Sequence, residues 1–493
     1  MNKQLKRVTR VIFLMFIVLC FSTTMIQVVQ ADELRANPLN QRTAKNSFNI
    51  ERGTILVDGN PVAVSEPTGD TYQFTRTYPG GAMYAPVTGY YSRNQGMTGI
   101  EGALNQELSG IGNAQFFTRI MRILTGEDPQ GSSVELTLNP AAQQAAYEAM
   151  AGLEGAVVAL DPKTGKVLAM VSTPSFDPSL LSSNNDAQII ENYGLLEQDP
   201  AQPLVNRAIG GDLYHPGSTY KLLVAAAAIE SGAATPASTF DNPAQLQLPQ
   251  SSAIMQNASR TVCGPGDKAT LETAIIQSCN IPIAELAMEM PRDEVPKMAR
   301  AFGFEQDLQI PLNVSPSVAP APLDQAQVAL SSIGQLDVRA TPLQMAMVAA
   351  GIANGGELMK PQLVNQIIAP NLSVEREFTP EVLGNPISEE TAQTMTGMME
   401  KVVSDPSGTG VPAGIDGVRV AGKTGTAENG TAADGSDLPF TLWYTGFAPV
   451  EDPQIAIAVV VANGGGEAHN YLASSYELPT AIGKRVMEAV LGQ

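Results

Sequence analysis

The stretch "GVRVAGKTGTAE", residues 417–428, admits two readings that lead to different folds. Gly417, followed after four residues by Gly422, Lys423 and Thr424, matches the loop that wraps nucleotide phosphates. Starting at Lys423, the same letters give Lys-Thr-Gly, a triad that serine acyl-transfer enzymes also carry. The neighbours decide. A phosphate loop leaves a strand and feeds a helix whose N-terminus faces the phosphates. Here "NGTAADGSDLP" comes next, which is turn-rich and cannot begin a helix. Val418 and Val420 alternate with Arg419 into the triad, and this period of two places Lys423 on a strand. A second copy, Lys163-Thr164-Gly165, lies between two apolar runs in "GAVVALDPKTGKVLAMVSTPS" (155–175) and reads as a hairpin turn. There Gly165 supplies the turn geometry and Lys163 faces solvent.

Further out, the N-terminus bears on location. Lys3, Lys6, Arg7 and Arg10 precede a run from Val11 to Ala31 without a charge. As a helix that run reaches roughly 30 Å, the depth of a bilayer core. The basic residues before it, and Asp32 and Glu33 after it, predict residues 1–10 in the cytoplasm, an anchor over 11–31 and the rest of the chain outside. A cleaved signal peptide is the alternative, with Val29-Gln30-Ala31 as the cleavage site. The length of the apolar run favours the anchor. Leu19 before Cys20 is too large for a lipoprotein signal.

The net charge is −20, and removing the four cations before the span leaves about −24 on the remainder. So acidic a surface excludes nucleic acid and anionic lipid as partners. The only histidines are His215 and His469, which excludes a histidine-rich zinc site, and neither metal nor cofactor is expected. Cys263 and Cys279 are the cysteines beyond the span. They are either two free thiols or one disulfide, which in the chain-entropy model contributes about 3 kcal/mol.

Texture divides the chain beyond the anchor. Residues 32–152 are rich in glycine, tyrosine and turns, and predict a strand-and-loop module with little helix. From 153 to 493 an apolar hairpin opens the region. Helical patterns occupy 217–232, 270–303 and 341–354, and "VRVAGKTGTA", "FTLWYTGFAPV" and "QIAIAVVVAN" supply late strands. Strands at both ends with helices between predict one α/β domain of the α+β type, its sheet joining start and finish.

Chemistry concentrates in "HPGSTYKLLVAAAAIE" (215–230), where Lys221 lies three residues after Ser218 and shares its helix face. A serine needs a base, and a lysine serves if burial or a second cation lowers its pKa. The positive end of the helix favours the developing oxyanion. The plain alternative is an N-cap serine beside a solvated lysine. His215 stands across the Pro-Gly turn, and Ser218 lacks a Gly-x-Ser-x-Gly elbow, so a histidine-based hydrolase is set aside. Ser-x-Asn, weak alone, occurs once after Ser218, as Ser278-Cys279-Asn280, between "LETAIIQ" and Ile281-Pro282. That setting suits a buried turn between helices, whether catalytic or merely structural.

Ser-x-x-Lys, Ser-x-Asn and Lys-Thr-Gly, in that order at 218, 278 and 423, resemble the penicillin-binding proteins and serine β-lactamases. "ERGTILVDG" (51–59), "GMTGIEGALNQELSG" (96–110) and "LTLNPAAQQAA" (136–146) look like the N-terminal module of class B penicillin-binding proteins. "NRAIGGDLYHPGSTYK" (206–221), "GQLDVRATPLQMAMVAAGIANGG" (334–356) and "WYTGFAPVEDPQIAIAV" (443–459) resemble their transpeptidase domain. "YPGGAMYAPVTGYYS" (78–92) is most similar to the actinobacterial penicillin-binding protein A group.

The resemblance implies a five-stranded antiparallel sheet with helices on both faces, over 153–493, preceded by a dimerisation or pedestal-like module over 32–152. It implies cross-linking of peptidoglycan stem peptides through an acyl-serine at Ser218, and covalent inhibition by β-lactams. Lys221 would be the base, Asn280 its holder and Ser278 the proton relay to the leaving amine. Lys423, Thr424, Gly425 and Thr426 would form the carboxylate site, with the N–H groups of Ser218 and Thr426 as oxyanion hole. Residues 32–152 are too few for a glycan-polymerising domain, so a SEDS-type membrane polymerase is the implied partner. Cys279 inside the second motif departs from the family pattern and would link that motif to redox state.

A D,D-carboxypeptidase would carry the same three motifs; the anchor and N-terminal module favour the cross-linking enzyme. A β-lactamase needs a deacylating base, and no suitable glutamate follows Asn280. A sensor would need an output domain before the span. A non-catalytic cell-wall scaffold would have no need of Ser218.

Overall fold

The computed structural model describes residues 3–30, 48–69, 72–110, 130–432 and 434–493. Helix α1 (Lys3–Thr24) continues through a wider-wound segment, Met25–Val29. Its stretch Lys6–Gln27 is long and apolar enough to cross a membrane, and none of it is buried against the rest of the chain. Ala31, Asp32 and Glu33, on which the cleavage site and part of the orientation rest, lie outside the described residues.

The N-terminal module is built on β1 (Ile55–Val57), β2 (Asn60–Pro67), β3 (Phe74–Thr77) and β4 (Ser133–Leu136). It contains more helix than expected. "GAMYAPVT" forms α2 (Gly81–Thr88) despite Pro86, and two short helices, Gly99–Ala103 and Asn105–Leu108, follow. Burial of Tyr84, Ala85, Val87 and Thr88 outweighs the poor helix propensity of glycine and proline. Arg52 and Arg76 both bond the fully buried Glu101 carboxylate, which they hold below its usual pKa against the effect of burial.

Helix α3 (Pro140–Ala149) begins at Asn139, whose side chain accepts from Ala142 N. The hairpin β5 (Gly155–Leu160) and β6 (Val167–Thr173) comes next, with Gly165 at φ +75° in the turn and Lys163 exposed, as the two apolar runs about the turn indicated. Helices α4 (Lys221–Glu230), α5 (Leu271–Ile276), α6 (Ile281–Glu289) and α7 (Pro342–Ala353) fill the middle of the chain. Strands β7 (Val364–Ile368) and β8 (Val374–Glu377) then return to the N-terminal module, giving a six-stranded sheet ordered β8-β7-β4-β1-β2-β3. This sheet therefore draws strands from both sides of residue 152.

After α8 (Glu389–Ser404), strands β9 (Ala421–Ala427), β10 (Thr441–Ala448) and β11 (Ile455–Val461) precede the last helix, α9 (Leu478–Leu491). They complete a five-stranded antiparallel sheet, β9-β10-β11-β5-β6, that joins the start and finish of the region. In β11 the bulky Ile455, Ile457, Val459 and Val461 face the cluster containing residues of α3 and α9. Ala456, Ala458 and Val460 face the cluster containing residues of α4 and α7. This period of two puts helices on both faces of the sheet, with β9 at one edge.

Candidate active site

Three segments meet at the β9 edge. The first is a 3₁₀ turn, Gly217–Tyr220, that leads into α4. Gly217 has φ +54°, and a Cβ there would lie 2.6 Å from Thr426 O. Only glycine lets the turn that carries Ser218 come this close to the strand. Gly334 is packed as tightly behind it: its carbonyl accepts from Gly217 N at 3.1 Å, and its own Cβ would lie 2.2 Å from Gly217 O. On β10, Trp443 Nε1 donates to His215 O at 2.9 Å and ties the start of the turn to the sheet. Ser218 is half-buried, and among the described residues its hydroxyl has no hydrogen-bond partner.

One turn along, Lys221 is fully buried. Its Nζ donates to Ser278 O and to Asn280 Oδ1, both at 2.7 Å. Burial, and then the charge of Lys423, push its pKa well below the usual lysine range. Ser278 belongs to the second segment, the turn between α5 and α6, and takes φ +59°. This left-handed conformation is costly for a non-glycine residue. It reverses the chain so that a backbone carbonyl and a side-chain amide two residues apart both reach the same ammonium.

The third segment is β9. Lys423, also fully buried, donates to Ser278 Oγ at 2.8 Å and to Thr424 O at 2.9 Å. Burial brings its pKa to about 7. Thr424 Oγ1 donates to Thr409 Oγ1 at 2.7 Å, while Thr426 is exposed and shares a 2.9 Å hydrogen bond with Ser475 Oγ. A Cβ on Gly425 would meet Thr219 Cγ2 at 2.9 Å and Pro216 O at 3.0 Å, so this glycine too is required by close approach. All eight candidate residues from Ser218 to Thr426 fall in one constellation, with two buried amines bridged by Ser278.

Cys263 and Cys279 form a disulfide, which resolves the two readings left open by the sequence. His215 Nδ1 is directed at Val338 O, 3.0 Å away, beside Arg339. Burial and that guanidinium lower its pKa, and among the described residues none of its ring hydrogen bonds reaches Ser218. Thr409, Ser475, Asn242 and Asn257 escaped the sequence reading. They stand in loops far from the motifs, and no local pattern marks them.

The model of the penicillin-binding protein transpeptidase domain matches residues 155–488, and that of the penicillin-binding protein A dimerisation domain matches 52–134. The chain belongs to the penicillin-binding protein transpeptidase family. It is a class B penicillin-binding protein. It is 40% identical over 497 residues to the peptidoglycan D,D-transpeptidase PbpA of Mycolicibacterium smegmatis, covering 100% of this chain and 99% of the relative. To PbpA of Mycobacterium tuberculosis it is 39% identical over 501 residues, with the same coverage of 100% and 99%. A structure of M. tuberculosis penicillin-binding protein A as its ceftriaxone acyl-enzyme superposes with a TM-score of 0.85 at 37% identity, over 90% of this chain and 99% of that one. The D,D-transpeptidase domain of an Eggerthella lenta peptidoglycan glycosyltransferase gives a TM-score of 0.75 at 32% identity, over 90% and 99%. The class B assignment, the five-stranded sheet and the helices on both its faces thus agree with the expectation from the motifs.

Proposed function

We propose that this penicillin-binding protein is a peptidoglycan D,D-transpeptidase in which Ser218 is the nucleophile and Lys221 its base. The supporting observation is the buried Lys221 amine, with Ser278 O and Asn280 Oδ1 each 2.7 Å away. In the neutral amine both N–H bonds are taken by these two acceptors, and the lone pair is left for the Ser218 proton. The alkoxide attacks the carbonyl of the penultimate D-alanine, and the backbone N–H groups of Ser218 and Thr426 receive the oxyanion. Lys221 returns the proton through Ser278 Oγ to the departing amine, the C–N bond breaks, and terminal D-alanine leaves. A neighbouring stem's amine then attacks the acyl-serine, loses a proton along the same path, and Ser218 is restored. Lys423, Thr424, Gly425 and Thr426 bind the carboxylate of the donor, or that of a β-lactam, which acylates Ser218 by the same attack.

In this reading residues 1–10 are cytoplasmic, 11–31 anchor the chain, 32–152 form the dimerisation or pedestal-like module, and 153–493 form the catalytic domain outside the membrane. The apolar helix α1 supports a single-pass anchor. A SEDS-type polymerase supplies the glycan strands, since the module over 32–152 is short for a polymerising domain.

The test is to incubate the protein with a fluorescent penicillin and map the label by peptide mass. Stoichiometric, lasting label on Ser218, absent from Ser218→Ala, supports the assignment. Rapid loss of label favours a β-lactamase, and no label on folded protein leaves the scaffold. Release of D-alanine with and without an amine acceptor separates transpeptidase from carboxypeptidase.

A further inference from the structure

Three asparagine side chains stand in file behind Lys221. Asn242 and Asn257 are buried, at 0% and 2% exposure, and the third is Asn280. Asn242 Nδ2 donates to Cys263 O at 2.7 Å and to Gly266 O at 3.3 Å, while its Oδ1 accepts from Cys263 N at 3.1 Å. That Oδ1 also accepts from Asn257 Nδ2 at 3.2 Å, and Asn257 Nδ2 donates further to Thr261 O at 3.1 Å. Asn257 Oδ1 in turn accepts from Asn280 N at 2.9 Å and Ile281 N at 3.1 Å. Every polar atom of both amides is used, which fixes the sense of each.

The last pair of bonds holds the backbone that carries the third amide. Asn280 is the N-cap of α6, and an N-cap asparagine ordinarily turns its own Oδ1 onto the N–H of the second or third helical residue, here Pro282, which has none, or Ile283. Asn280 makes no such bond. Asn257, 23 residues upstream, supplies a carboxamide oxygen to two other N–H groups at this end of the helix, those of Asn280 and Ile281. These bonds fix the Asn280 backbone where its side chain reaches Lys221. Its sense is set by Gln256 O, which can only accept and takes Asn280 Nδ2 at 2.8 Å. Oδ1 must then face Lys221 Nζ, at 2.7 Å.

We infer that Asn257 is a positioning residue for acylation: by holding the N–H groups of Asn280 and Ile281, it fixes the Asn280 oxygen where it orients Lys221. This rests on the proposed roles of Ser218 and Lys221. Without Asn257, the Asn280 backbone loses its anchor, the Asn280 oxygen moves off Lys221, and the amine loses one of its two acceptors. The amine then rotates, and its lone pair is no longer held toward Ser218.

The experiment is a double-mutant cycle in the full-length protein, read by stopped-flow acylation with a fluorescent penicillin. Wild type must first label Ser218; if it does not, the underlying reading fails and the cycle is not its cause. Asn257→Ala is expected to slow the covalent step about 10- to 100-fold with the preceding non-covalent affinity unchanged. Asn280→Ala is expected to slow it similarly, and the double variant to be no more than about threefold slower than Asn280→Ala alone, since coupled residues are not additive. Asn257→Asp keeps one accepting oxygen but sets the other against Asn242 Oδ1 and Thr261 O, so it is expected to recover only part of the rate. Losses that multiply in the double variant, or an Asn257→Ala protein that acylates at the wild-type rate, overturn the proposal. Should Asn257→Ala not fold, the same cycle is run on Asn257→Ser, whose shorter hydroxyl reaches fewer of the two N–H groups, with the same two deciding outcomes.

Discussion

Lys423 Nζ donates to Ser278 Oγ at 2.8 Å, joining residues 145 positions apart in the chain. The contact brings a second buried amine near Lys221, and its charge adds to burial in lowering the pKa of Lys221. Two amines in one dry site compete for charge, and the proposed chemistry needs one neutral and the other charged.

This sets the pH profile of acylation. Lys221 acts once deprotonated, so the rate rises with pH through its depressed pKa. Lys423 binds a carboxylate while protonated, so the rate falls again as it titrates near its pKa of about 7. A bell-shaped dependence of second-order acylation by fluorescent penicillin is expected. In Lys423→Met the remaining activity loses its descending limb, and relief from the neighbouring charge moves the ascending limb to higher pH. A flat profile in the wild type from about pH 5 to about pH 9 contradicts these assignments.

Stability depends on the same group with its own sign. Lys423 titrates at about 7 in the folded protein, against an ordinary lysine value of about 10.4 when unfolded. Between those values the unfolded chain binds more protons, so the contribution of Lys423 to stability rises with pH. Below about 7 both states are protonated and the burial penalty is complete. Melting temperatures of wild type and Lys423→Met, compared from neutral to alkaline pH, should diverge, with wild type gaining relative to the variant. Parallel curves would show that Lys423 keeps an ordinary pKa when folded.

Gly217→Ala tests the close approach of the turn that carries Ser218. Its Cβ would lie 2.6 Å from Thr426 O, a backbone atom that cannot give way without moving β9. Gly232→Ala is the control, because φ there is +72° but nothing lies within 4 Å of a Cβ. Both variants should lose about 1 kcal/mol or more in urea unfolding from the left-handed backbone. Only Gly217→Ala should lose acylation, by about 100-fold or more, as the oxyanion donors separate. Equal acylation in the two would remove the close approach from the mechanism.

The disulfide closes a loop of sequence separation 16 across the second motif. The double variant Cys263→Ser/Cys279→Ser should lose about 3 kcal/mol in chemical unfolding. A loss below about 1 kcal/mol would mean that the disulfide does not restrict the unfolded ensemble as the chain-entropy model requires.

The strand carrying Lys423, the Gly165 hairpin and the helix after Ser218 were legible because each depends on local periodicity or turn chemistry. The serine, the two lysines and the Ser278-Cys279-Asn280 turn could be read as one site because ordered motifs carry that information. Helix α2 was not legible, since its glycines and Pro86 argue against a helix that tertiary burial of Tyr84 and Val87 enforces. Nor was the return of β7 and β8 to the N-terminal sheet, because strand pairing between distant segments leaves no local trace.

Sequence alone determined which residues are candidates for the chemistry and that Lys423 sits on a strand, because side-chain type and a period of two are properties of neighbours in the chain. Tertiary structure alone decided that the cysteines join, that both amines lose their water, and that Asn257 holds the start of a helix 23 residues away. Burial, a depressed pKa and a hydrogen bond from a distant loop each depend on what the rest of the fold excludes or supplies, and no short stretch of sequence contains that.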